Sequence, residues 1–214
     1  MANTNYSKAL LITATSALLL ACSDTSTETE SSNVDPAPSV DFGYISVNDN
    51  RIQTLHDIPI EISASDGFSA TEPKNREDVF HGAPYKISLA ALIDDDSALM
   101  LHAETVADLS GASDYSNLPQ ADWPNESFRS GDPVCMDIPV EATEGEHDLE
   151  WLRDNGFEPT GAIVFAQYFA TTADNNSEIV LSILVRVASC DDETDSAAIV
   201  EQFQAGITVQ PITH

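Results

Sequence analysis

The chain is expected to fold as a single mainly β domain, an antiparallel β-sandwich with one short helix; an open barrel or an α+β packing are the alternative arrangements. Three observations predict this. Most of the mature sequence falls into short stretches in which apolar and polar residues alternate with period two. Asp, Asn, Gly and Pro punctuate those stretches, as in meandering antiparallel sheets. Only one segment carries both a start and a stop signal for a helix.

The elements centre on a hairpin from Gly161 to Cys190. Gly161–Thr172 is rich in Val, Ile, Phe and Tyr, and an Asp/Asn turn separates it from Glu178–Cys190. Ile179, Leu181, Ile183, Val185 and Val187 are all apolar and mark the core face of the second strand. A three-residue loop at Asp174-Asn175-Asn176 pairs Phe169 with Leu181, Phe165 with Val185 and Ile163 with Val187.

Val40–Val47 and Ile58–Ile62 read as earlier strands, and Pro59 suits an edge. Tyr85, Ile87, Leu89, Ala91 and Ile93 line one face of a third strand. Asp94–Ser97 turns it into a fourth through Leu99, Leu101 and Ala103. Val134–Val140 alternates with Cys135 on the phase opposite its apolar face, and Phe203–Val209 forms the last strand. Thr143–Glu146 has the spacing of a capping box. Leu149, Trp151 and Leu152 follow as an apolar stripe, and Gly156 provides a left-handed stop. Two connections, 64–84 and 108–133, are longer than such a domain needs, and long loops often carry function.

The first 21 residues have one positive charge, at Lys8, and an apolar stretch from Ala9 to Ala21, too short to remain as a membrane span. The stretch ends Leu19-Leu20-Ala21-Cys22. This resembles the lipobox of bacterial lipoproteins. The resemblance covers residues 1–22 only and implies cleavage before Cys22, lipidation of its sulfur and amino group, and attachment to a membrane. In the same family pattern, Ser23 after the cysteine implies the outer membrane. Three acyl chains anchor firmly, since each buried methylene contributes about 0.8 kcal/mol. Apart from Cys22, Asn33 and Val34, residues 22–39 are Ser, Thr, Glu, Asp, Pro and Ala, a composition that leaves little to bury, so they read as a disordered tether. The globular domain then runs from 40 to 214.

The formal charge is −28, and removing Lys8 with the signal leaves −29. That balance excludes nucleic acid and anionic headgroups as partners held by bulk charge. Of the three cysteines, Cys22 is the lipid site. Cys135 and Cys190 are left to pair, the expected state outside the cytoplasm, or to stay as two buried thiols.

Chemistry-bearing motifs are sparse. No G-x-S-x-G, S-x-x-K or phosphate-binding glycine loop occurs. The acidic clusters at Asp94–Asp96, Asp174–Glu178 and Asp191–Glu193 lack the spacing of a calcium loop and read as solvated turns. His147 and Glu150 share a helix face without a second pair of ligands, so neither metal nor cofactor is expected. The loop at 108–133 carries Tyr115, Trp123, Phe128 and Arg129, residue types enriched where proteins bind one another. The same aromatics can instead pin the loop to the core. The function expected is therefore a lipid-anchored binding or envelope-assembly module for an envelope protein or glycan. The alternative is a small envelope hydrolase working through carboxylates and His81 or His102.

Overall fold

In the computed structural model the structure describes residues 42–212. The signal segment, Cys22 and the tether lie outside the described residues. Among the described residues, two antiparallel sheets face each other. One has the order β1 (Ile45–Asn48), β2 (Arg51–Thr54), β3 (Ile60–Ala64) and β12 (Ile207–Pro211). The other is built on β6 (Ala83–Ile93), β7 (Ser97–Val106), β11 (Ser177–Arg186) and β10 (Gly161–Thr171), in that spatial order. On one side β4 (Ser69–Ala70) and β5 (Lys74–Phe80) pair with β6, and on the other β8 (Arg129–Ser130) and β9 (Val134–Ile138) pair with β10. The open edges make this a sandwich and not a closed barrel.

The core lies between the sheets. Ile45, Ile52, Ile60 and Ile62 meet an inner face made by Leu92, Leu99, Leu101, Val164, Ile179, Leu181 and Ile183. The odd residues of β11 do form that face. β10 contributes its even residues, Val164, Ala166, Tyr168 and Ala170. The register therefore differs by one from the expected pairing: Phe169 faces Val180 and Phe165 faces Leu184. The loop has five residues, Thr172–Asn176. Thr172 N donates to Ser177 O at 3.0 Å, and Asn175 adopts φ 56° to close it. Because β11 is apolar on both faces, alternation left either register possible.

Three other expectations are corrected. Residues 74–80 are the strand β5 and not part of a loop. Its outward Lys74, Arg76 and Asp78 leave no apolar alternation to read. A two-residue turn at His81-Gly82, with φ 51° and 86°, joins it to β6. Phe203 belongs to a helix, Ser196–Gln204, and only Ile207–Pro211 is the final strand. Asp195 caps that helix by accepting from Ala198 N, and Ile199, Val200 and Phe203 turn toward the core at helical spacing. The earlier helix, α1 (His147–Asp154), forms without the capping box. Thr143 donates to Val140 O inside a 3₁₀ turn, and Glu150 accepts from Gly145 N instead. Gly156 ends it at φ 101° as expected. The helix Ser196–Gln204, here α2, packs on β10, where Gln204 donates to the Tyr168 hydroxyl at 2.6 Å.

Cys135 and Cys190 form a disulfide with Cα atoms 5.4 Å apart. Cys135 stands opposite buried Val164 at the margin of the inner face, not on the outer phase that alternation assigned it. The bridge ties edge strand β9 to the segment that leads from β11 into α2.

Candidate functional site

The long loop between β7 and β8 divides its aromatic residues between the two faces of the larger sheet. Phe128 is 1% exposed within the inter-sheet core. Trp123 is half-buried against the same core, edge-on to Tyr168 with ring centroids 4.9 Å apart. Tyr115 goes to the other face and stacks on Phe169 at 4.1 Å. Arg129 stands opposite Phe169 in β8, and its Nη1 donates to Leu118 O at 2.7 Å. Of the four loop residues, Tyr115 and Arg129 come together. With Asp114, Ser127, Phe169 and Asn175 they line a concavity of about 300 Å³. Its lining is mainly polar, with hydroxyls, an amide and charges around the stacked rings of Tyr115 and Phe169.

Beside that concavity runs a buried polar cluster. Arg76 of β5, Ile87 of β6, Glu104 of β7 and Glu178 of β11 are successive cross-strand partners on the outer face. His102 sits two residues along β7 from Glu104. α1 lies over this face, since its Asp148 accepts from Arg76 Nη2 at 2.8 Å and lies 3.6 Å from His102 Nε2. His102 Nδ1 contacts Glu104 Oε1 at 2.9 Å. Arg76 also pairs with Asp78. Ser113 donates its hydroxyl to Glu178 Oε1 at 2.9 Å, and the Tyr115 phenol lies near the same carboxyl. Glu104 and Glu178 are 5% and 2% exposed.

The ionisation of these groups follows from burial and from one another. Burial, then the neighbouring Glu104, pushes the Glu178 carboxyl up to about 7, against the hydroxyls of Tyr115 and Ser113. Burial alone would lower His102, but Asp148 and Glu104 outweigh it and hold the imidazole above its ordinary value. Burial and Glu178 raise the Tyr115 phenol. On the opposite side of β11, burial lowers His56, whose Nε2 lies 3.1 Å from Glu178 O.

These shifts have a stability consequence with a definite sign. Glu178 is harder to ionise folded than unfolded, so its contribution is full below pH 4.5 and is lost as pH rises toward 7. The size is on the order of 3 kcal/mol, from 1.36 kcal/mol per unit. His102, also raised, loses its contribution as pH rises through its folded value, which is the same direction. His56 opposes them, and only below about pH 6.5, where the unfolded imidazole charges first. Urea midpoints should therefore fall between pH 5 and pH 8.5, and Glu178→Gln should flatten the profile by raising the alkaline midpoint. A midpoint that rises with pH in the wild type would contradict this assignment of the buried proton.

The sequence offers His102 beside carboxylates as an acid–base candidate; only the fold brings Glu104, Arg76, Asp148, Ser113 and Glu178 around it. His81 stands apart, exposed on the β5–β6 turn. Among the described residues no hydroxyl or thiol bonds His102, and no group of three or more His, Cys, Asp or Glu is arranged to hold a metal ion. Against family models, curated proteins and solved structures, the chain matches none.

Proposed function

We propose that this is an exported protein, anchored in the outer membrane through lipid on Cys22, whose β-sandwich binds an envelope partner at the concavity of Tyr115 and Arg129. The single observation that supports the binding reading is that concavity, where the long loop brings its half-buried aromatic and its cation together. Its mixture of aromatic wall, hydroxyls and amides favours a glycan over an extended apolar protein surface. The disulfide supports export, because such bonds persist in oxidising compartments.

Two experiments test the reading. A clickable fatty acid fed to the producing cells should label the wild type and not Cys22→Ser; equal labelling would end the anchoring proposal. The full mature chain, applied to an array of envelope glycans, should retain at least one, and Arg129→Ala should weaken that capture about tenfold or more, the loss of a charge-assisted contact. Capture that Arg129→Ala leaves unchanged would move the site elsewhere.

The hydrolase reading has one observation in its favour, two adjoining buried carboxyls of which Glu178 is raised by burial and by its neighbour. It requires release of a nitrophenol from chromogenic glycosides that Glu104→Gln abolishes. No release by the wild type would dispose of it.

A further inference from the structure

Glu104 and Glu178 are direct partners on neighbouring strands, buried on one face, so their carboxyl groups stand side by side. The groups around them provide little positive charge. His102 on β7 adjoins the pair and is already engaged by Glu104 and by Asp148 of α1. Arg76 on β5 is held by Asp78 and Asp148. β6 contributes the Tyr85 phenol, and the loop contributes the Ser113 hydroxyl and the Tyr115 phenol. On the far face, His56 meets the backbone carbonyl of Glu178, and Asp57 accepts from Ser177. Glu178 thus accepts from one neutral hydroxyl, that of Ser113, while facing another carboxyl, and its Oε2 is buried without a hydrogen-bond partner among the described residues. A second negative charge there is costly unless water reaches it.

The same carboxyl fastens a segment of the loop. Ser113 donates to Glu178, Tyr115 lies beside it, and two further bonds dock the segment on the β10–β11 turn, Gly111 N to Asn176 Oδ1 at 2.8 Å and Ser113 N to Asn175 O at 3.2 Å. β7 and β11 pair continuously from Ser177 to Val185. The element that yields most easily to admit water is therefore the loop and not the ladder.

We propose that the Glu104–Glu178 pair is a proton-operated latch for Gly111–Tyr115, closed when the pair holds one proton and released when both carboxyls are charged. Release withdraws Tyr115 from Phe169 and takes down one wall of the concavity. The latch is a property of the fold and holds whether or not that concavity binds a glycan.

Hydrogen exchange on the full mature chain at pH 5.5 and pH 8.5, with times scaled for the intrinsic rate of exchange, reads the latch directly. Peptides covering 108–118 should lose at least tenfold in protection at pH 8.5, while β10 and β11 remain protected at both. Glu178→Gln and Glu104→Gln should each remove the difference. Equal loop protection at the two pH values in the wild type, a difference that survives both substitutions, or loss of protection in β10 and β11 together with the loop would overturn the proposal.

Discussion

Phe128→Ala should cost the domain about 3–5 kcal/mol, the range for emptying a buried aromatic site. Phe128 is 1% exposed and belongs to the cluster that joins the two sheets. Its backbone cannot follow the lost ring inward. Phe128 N donates to Asn125 O at 3.1 Å, and Phe128 O accepts from Ala121 N at 2.9 Å, so the chain on both sides is held. A cavity that cannot collapse lies at the costly end of the range. For a domain of this size the loss corresponds to a fall of roughly 10 °C in melting temperature. Tyr115→Ala should cost less, because Tyr115 lies on the outer face against Phe169 and remains half-exposed. Thermal melts of the two variants side by side separate the roles. A Phe128→Ala melt within about 2 °C of wild type, less than one kcal/mol for this size, would mean the loop is not anchored by that ring.

Removing the Cys135–Cys190 bridge should have a comparable effect. The cysteines are 55 residues apart, and closing a loop of that length constrains the unfolded chain by about 4 kcal/mol, an upper figure before any relaxation. The enclosed segment contains α1, β10 and the whole of β11, so the constraint acts on the centre of the fold and not on a peripheral arm. The double variant Cys135→Ser/Cys190→Ser, or reduction followed by alkylation, should lower the urea midpoint markedly and steepen the slope, because the unfolded chain expands once the constraint is gone. The first structure lost should be β9, an edge strand paired only with β10 among the described residues. Equal midpoints with and without reductant would show that the bridge constrains nothing the fold does not already hold. Intact mass should fall outside this dispute: it should rise by two hydrogens on reduction in either case.

The elements most legible in the sequence were those with one strong period. β6, β7 and the β10–β11 hairpin show apolar residues at alternate positions over many residues, and the core face of β11 was readable as Ile179, Leu181 and Ile183. Gly156 marked the end of α1 because few other residues tolerate its φ of 101°. The pairing of Cys135 with Cys190 followed once Cys22 was set aside. What alternation cannot say is which residue on the neighbouring strand stands opposite. The left-handed Asn175 set the register of β10 on β11, and either register would have kept β11 apolar toward the core. That single offset put Tyr168 and not Phe169 on the inner face. The polar cluster was illegible for a related reason. Arg76, Glu104 and Glu178 lie far apart in sequence, and each looks like a solvated charge until three ladders bring them into one row under α1. The sequence by itself determined the long alternating strands, which two cysteines could pair beside Cys22 and what composition the long loop carries, because those depend on local spacing. Only the tertiary structure decided which of the loop's aromatics are core and which line a concavity, and that two carboxyls share one buried place, because burial and adjacency arise from strands that meet across the whole chain.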